Sequence, residues 1–259
     1  MTDTGSHTLT YTGYYDGERR PVRGVVPAED LVSIHVNGEP LVSLACTPTH
    51  LEELALGFLF NEGLIAGPGA IEAVDLCDQK RRVDVWLHQD IEIPQLRTIT
   101  SGCSGGATFK DVTGLYYHVQ SDLHVTPQQV TQLIQDFEQT TALYRRTGGV
   151  HGAALAEGEQ ILYLVEDIGR HNTLDKIAGM CLRSSCSTQG RILLTSGRAS
   201  SEMVNKVARM GVPIVISRTS PTSLAVQLAR GWDVTLIGYT RRRSFRVYAG
   251  EERVVNQAG

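Results

Sequence analysis

The chain of 259 residues, 41% apolar and 20% charged, is long enough for one large domain or for an ordinary domain with a smaller companion, and needs no staples to build a core. Its formal net charge of −4 argues against indiscriminate binding to nucleic acid, and no apolar run approaches a membrane span. The start, Met1 to Tyr15, is polar and lacks a basic region followed by an apolar one, so a cytoplasmic location is expected.

In chain order, Leu31 to Val36 alternates as a strand, Asn37-Gly38 is a hairpin turn, and Pro40 to Cys46 returns. Thr49 is placed to cap a helix through Leu51, Leu54, Ala55, Phe58 and Leu59, with Glu52 and Glu53 in its first turn. Ile71 to Leu76 and Arg82 to Leu87 read as two further strands, completing a small α+β unit over residues 1–120. That unit ends in Thr100-Ser-Gly-Cys103-Ser-Gly-Gly-Ala107, where glycines permit positive φ and leave the Cys103 sulfur uncrowded. The loop is either a tight turn that happens to hold a cysteine or a means of presenting a thiol to a partner.

The other cysteines are Cys46, Cys77, Cys181 and Cys186. An odd number with irregular spacing and no C-x-x-C pair argues against a disulfide framework. Cys46, Cys77 and Cys181 lie in apolar patterns and read as buried hydrophobes. Cys181 and Cys186 are too far apart on a helix to share a face, which makes a metal site from them a weak reading.

From residue 121 a second domain is expected to run to residue 259. Thr126-Pro127 opens a helix through Val130, Leu133, Ile134, Phe137 and Leu143. Two strands, Gly149 to Ala156 and Gln160 to Val165, flank the turn Glu157-Gly158-Glu159. Leu174, Ile177, Ala178, Cys181 and Leu182 fall on one helical face. The remainder alternates: strand Arg191 to Thr195, helix Ser200 to Met210, strand Val212 to Ser217, helix Pro221 to Arg230, strand Asp233 to Gly238. That order predicts parallel strands joined by crossovers.

Three loops should then open on one sheet edge: Thr195 to Arg198, Ser217 to Pro221 and Gly238 to Ser244. Between Arg191 and Arg246 the chain holds ten Lys or Arg against two acids, Glu202 and Asp233. With Ser200 and Ser220 as helix caps, this edge suits an anion such as a nucleotide, although capping beside a solvated basic edge explains each loop taken singly. A second polar cluster comprises His151, Glu166, Asp167, Arg170, His171, Asn172, Asp175 and Lys176. It fits either acid–base chemistry or helix capping with an internal ion pair.

The segments Gly148-Gly-Val-His-Gly-Ala-Ala-Leu155, Glu166-Asp-Ile-Gly-Arg-His-Asn172 with Asp175-Lys176, Thr195-Ser-Gly-Arg198 and Gly238-Tyr-Thr-Arg241 ending in Val247-Tyr248 resemble the FdhD family. These are sulfur carriers, or sulfurtransferases, needed for formate dehydrogenase activity. The resemblance implies a cytidine-deaminase-like three-layer α/β/α domain after the small α+β domain. Zinc and zinc deamination are not expected with that fold, because glycine and alanine follow His151 and the loop before Ser200 has no cysteine. It further implies sulfur transfer from a cysteine desulfurase of the IscS type to a bis(molybdopterin guanine dinucleotide) molybdenum cofactor destined for the formate dehydrogenase apoprotein, and a homodimer.

The family's loop T-S-x-C-G-x-C-G puts the persulfide carrier on Cys103 and leaves Gly106 where a second cysteine usually stands. The cofactor-contacting segment matches Tyr239, Thr240, Arg241, Arg242, Arg243 and Ser244, which would meet the cofactor or its GDP or GMP moiety. Ser196 and Arg198 join that set from their place on the neighbouring loop. Two rivals are a cofactor- or guanine-nucleotide-binding chaperone that moves no sulfur, and a nucleoside-type hydrolase using Cys103 with His151 or His171.

Overall fold

A computed structural model describes residues 5–77, 81–92, 98–99, 107–108 and 115–256. Cys103 and its neighbours from 100 to 106 lie outside the described residues. The polar start forms structure that its composition hides: β1 (Ser6–Tyr15) and β2 (Glu18–Pro27) pair antiparallel along their whole length as an isolated two-stranded ribbon. Neither face is buried, so no alternation of apolar and polar residues marks these strands.

The expected α+β unit is present. β3 (Asp30–Val36), β4 (Glu39–Cys46), β5 (Ile71–Cys77) and β6 (Arg82–Leu87) make a sheet in the order β4-β3-β6-β5. Asn37 and Gly38 both have positive φ, 49° and 88°, as a two-residue hairpin turn requires. Val32, Ile34 and Val36 face inward onto α1 (Leu51–Asn61), whose Leu51, Leu54, Ala55, Phe58 and Leu59 fill the core. Thr49 is not the cap. His50 holds that position with left-handed backbone and no side-chain cap, while the Thr49 hydroxyl accepts from Lys176 Nζ at 3.4 Å. Cys77 is exposed rather than buried, because β5 is an edge strand with its final residues open to solvent. The short strands β7 (Thr98–Ile99) and β8 (Ala107–Thr108) then pair antiparallel on either side of the Cys103 segment.

The second sheet has six strands. After α2 (Pro127–Thr140) and α3 (Ala142–Thr147) come β9 (His151–Glu157), β10 (Gln160–Asp167), α4 (Arg170–Ser184), β11 (Ile192–Thr195), α5 (Ser201–Arg209), β12 (Ile214–Ser217), α6 (Ser223–Gly231), β13 (Thr235–Arg241) and β14 (Ser244–Ala249). The order is β10-β9-β11-β12-β13-β14, with β11, β12 and β13 parallel as predicted and the flanking pairs antiparallel. Alternation sorts the strands cleanly between two faces. Ala154, Ala156, Leu194, Ile216 and Ile237 meet α2, whereas Ala153, Leu155, Leu193, Val215 and Leu236 meet α4, α5 and α6. Three layers result, and the fold is of the mixed α/β class.

Thr126 caps α2 through a full capping box with Gln129, as its sequence predicts. The helix does not run on to Leu143, however; it breaks at Thr141 and restarts as α3. Thr222, not Ser220, caps α6, and Ser200 occupies the cap position of α5 with its hydroxyl turned to Glu202. The expected loop Gly238 to Ser244 is the tip of the β13–β14 hairpin.

The two sheets are held together by α1 against α4. Their backbones approach so closely that a Cβ on Gly57 would lie 1.7 Å from the Asp175 carbonyl oxygen, and one on Gly179 would lie 1.9 Å from that of Glu53. No side chain fits at either crossing point.

Candidate functional site

The three loops predicted to share an edge do converge. Arg218 N donates to Thr195 O at 3.0 Å, the Ser217 hydroxyl to Gly197 O at 2.9 Å, and Tyr239 N to Thr219 O at 3.1 Å. Gly238 is needed for this approach, since a Cβ there would stand 2.9 Å from Thr219 O. Ser196 joins the start of the neighbouring internal strand β9, accepting from Gly152 N at 2.9 Å and lying 3.5 Å from His151 Nδ1. Arg198 is exposed beside it.

The hairpin tip departs from regular pairing between Gly238 and Arg241, and Tyr239 adopts a φ of 51° that non-glycine residues rarely take. Its half-exposed ring is covered by the Arg246 guanidinium at 4.4 Å from the centroid. Thr240 is fully buried, yet its Oγ1 has no hydrogen-bond partner among the described residues. Arg241 is engaged in building the edge, donating to Arg218 O at 2.6 Å and Thr240 O at 3.0 Å. Arg242, Arg243 and Ser244 stand exposed at the turn.

Beside this edge opens a cleft of about 550 Å³, a size suited to a small ligand. Its floor is His151, Gly152, Ser196 and Thr219, and its far wall is Phe137, Thr141, Tyr144 and Arg145 from α2 and α3. Arg218 spans it, paired with Glu138 at 2.8 Å. Sequence reasoning missed the far wall because it took α2 and α3 as one helix. The adjacent β-branched residues Thr140 and Thr141 were the available signal for the break.

Most of the second polar cluster proves to be scaffolding. Glu166 caps α3 from a distance, accepting from Leu143 N and Tyr144 N at 2.8 and 2.7 Å. Asp167, wholly buried, accepts from Gly169 N, Asn172 Nδ2, Thr47 N and Lys176 Nζ, the last at 2.5 Å. Asp175 receives two bonds of 2.7 Å from Lys206 and one from Asn61. Burial alone would lower the Lys206 ammonium's pKa, but Asp175 and Glu62 hold it up, so the charge stays.

Of the two histidines, His151 lines the cleft, whereas His171 is buried 3.8 Å from Glu202. Burial and then the Arg170 charge push His151 below its ordinary value. Burial, followed by Lys206, Arg170 and His151, drives His171 from 6.5 to about 3. Both imidazoles are therefore neutral at neutral pH, and the charges that the cleft presents come from Arg145, Arg218 and Glu138. The His171 shift also sets a pH dependence. Below pH 6.5 the unfolded chain takes up a proton that the folded chain refuses, so stability falls as pH drops towards 3. The slope from this group approaches about 1.4 kcal/mol per pH unit. A His171→Phe variant should lose that slope, measured as unfolding free energy against pH.

The comparisons with known proteins bear on the same segments. The model of the FdhD/NarQ family matches residues 27–255. The chain belongs to the FdhD/NarQ family. A sulfur carrier protein FdhD from Bacillus subtilis is 38% identical over 248 residues, covering 93% of this chain and 94% of its own length. Its counterpart from Listeria innocua is 36% identical over 246 residues, covering 92% and 94%. The crystal structure of a proposed formate dehydrogenase accessory protein from Desulfotalea psychrophila superposes with a TM-score of 0.82 at 29% identity, covering 96% of this chain and 99% of that one.

Within this FdhD/NarQ chain three of the four described cysteines are poor sulfur nucleophiles. Cys46 is fully buried and Cys181 nearly so, and burial pushes both thiols up to about 12. Cys77 is exposed, but local desolvation and the Asp84 carboxylate beside it raise its thiol too. Since the thiolate is the reactive form, none of these three is poised for transfer at neutral pH. No helix among the described residues is long and apolar enough to cross a membrane.

Proposed function

We propose that this chain is a sulfur carrier of the sulfurtransferase type, which receives sulfur as a persulfide on Cys103 and passes it to a molybdenum cofactor bound for formate dehydrogenase. Membership of a family whose relatives are named sulfur carrier proteins is the observation that carries the reading. Cys46, Cys77 and Cys181 are not ready nucleophiles, which leaves Cys103 and Cys186, and the family's sulfur-handling loop falls on Cys103. In the loading step the Cys103 thiolate attacks the outer sulfur of a persulfide on a cysteine desulfurase of the IscS type. A protein persulfide forms and the donor leaves as its thiolate.

The cargo on this reading is the bis(molybdopterin guanine dinucleotide) cofactor, held at the basic edge. Exposed Arg242 and Arg243 would meet its pyrophosphates, and the buried Thr240 hydroxyl is a polar group for which the described residues offer no partner. Ser196 and the exposed Arg198 flank the same edge. Arg241 contributes by holding the edge together rather than by reaching outward. The carrier would act as a cytoplasmic homodimer. An isolated two-stranded ribbon with Leu9, Tyr11, Tyr14 and Tyr15 exposed is marginal in water and gains from a second copy. Sedimentation should give a dimer that becomes monomeric when residues 1–26 are removed.

Restoration of formate dehydrogenase activity in cells lacking their own carrier tests the assignment. Cys103→Ala should reduce restoration to background. The double change Arg242→Ala with Arg243→Ala should retain persulfide loading and weaken GDP binding at least about tenfold, as expected for loss of charged hydrogen bonds. The single-cysteine loop, with Gly106 in place of a second thiol, favours one alternative: a cofactor-binding chaperone that moves no sulfur. Full restoration by Cys103→Ala would establish it.

A further inference from the structure

Cys181 and Cys186 are separated by five positions, which on a continuous helix would point them apart. The helix does not continue. Ser185 adopts left-handed backbone, φ 53° and ψ 30°, at the carboxyl end of α4. Cys186 N then turns back to donate to Cys181 O at 2.9 Å, with Ser185 N donating to Leu182 O at 3.4 Å. This pair of bonds is the Schellman motif, in which the side chain just past the cap packs onto the residue five before it. Here those two side chains are thiols, and they interact directly: Cys186 is, after burial, the main influence on Cys181.

The two thiols line a separate cleft of about 520 Å³ on the far side of α4, between Phe60, Pro68, Arg209 and Met210. Cys186 is half-buried there and reachable, whereas Cys181 forms the floor behind it. Arg209 donates to Phe60 O and Ile65 O, which fixes the wall of the cleft.

We propose that Cys181 and Cys186 form a dithiol–disulfide redox site, oxidised by small-molecule disulfides of the glutathione type. Cys186, as thiolate, attacks one sulfur of the reagent; the reagent's disulfide bond breaks and one half leaves as a thiolate. Cys181 then loses its proton to solvent, a step that its raised thiol makes slow at neutral pH and faster as pH rises, and attacks the Cys186 sulfur, expelling the second half. The two protein sulfurs give up two electrons in all, and the reagent is reduced to two thiols. The backbone bond from Cys186 N to Cys181 O keeps the two residues side by side while the mixed disulfide resolves.

The site is independent of the proposed role of Cys103, and its test reads different peptides. The intact wild-type chain is incubated with glutathione disulfide, blocked by alkylation under denaturing conditions and digested with trypsin, which cuts after Lys176, Arg183 and Arg191. The expected product is peptide 177–183 joined to peptide 184–191 by a bond that reductant cleaves. In Cys181→Ser, the reaction should stop with glutathione on Cys186. A wild-type digest with glutathione on Cys186 and an alkylated Cys181, or with both cysteines alkylated, would overturn the proposal.

Discussion

Replacing Asp167 by alanine should lower unfolding free energy by about 3–5 kcal/mol, the usual consequence of stranding one partner of a buried ion pair. Lys176 is wholly buried and, among the described residues, its ammonium retains only the Thr47 carbonyl and the Thr49 hydroxyl once the carboxylate is gone. Thr47 N and Gly169 N lose their side-chain acceptor as well, while the Asn172 amide keeps Ala45 O. The loss arises from the uncompensated charge rather than from the attraction itself. Adding Lys176→Met to Asp167→Ala should therefore restore much of the stability. Urea unfolding of the two variants decides it. A single variant within about 1 kcal/mol of wild type would show that the Lys176 charge is compensated without Asp167.

Gly179→Ala should be the more instructive core substitution, because two effects oppose each other. Alanine in a helix interior gains about 1 kcal/mol over glycine. Against this, the new methyl would lie 1.9 Å from the Glu53 carbonyl oxygen, and the obstacle is backbone that cannot rotate away. Overpacking of a rigid contact costs about 3 kcal/mol, so a net loss of about 2 kcal/mol is expected. Gly57→Ala should behave alike. Gly67→Ala is the control: its backbone is extended and nothing lies within 4 Å of the added carbon, so thermal unfolding should be nearly unchanged. An equal effect at Gly67 and Gly179 would remove close packing of α1 on α4 as the cause.

The sequence made those elements legible in which one face meets a core. β3 and α4 announce themselves by period, β9 and β11 by short apolar runs buried on both faces, and the parallel order of β11, β12 and β13 follows from their alternation with helices. The ribbon β1–β2 was invisible for the converse reason: with neither face buried, nothing constrains its pattern. The β13–β14 hairpin looked like a loop because a bulge and a left-handed Tyr239 interrupt its register within a run of arginines.

At the site, convergence of the three loops was readable from strand order, and Ser196, Arg218 and Tyr239 do meet there. The roles of Glu166, Asp167 and Asp175 were not. Their partners lie far off in sequence, 120 positions away for Thr47 and Asp167, and nothing local separates a buried staple from a catalytic acid. Likewise, the meeting of Cys181 with Cys186 depends on one left-handed serine that no periodicity reveals.

The central claim is that Cys103 bears transferable sulfur, and the direct measurement is the mass of the intact chain after incubation with a cysteine desulfurase and cysteine, followed by peptide mapping. One added sulfur on Cys103, removed by reductant and absent in Cys103→Ala, is the predicted result. A Cys103 that alkylates freely yet gains no sulfur would contradict it.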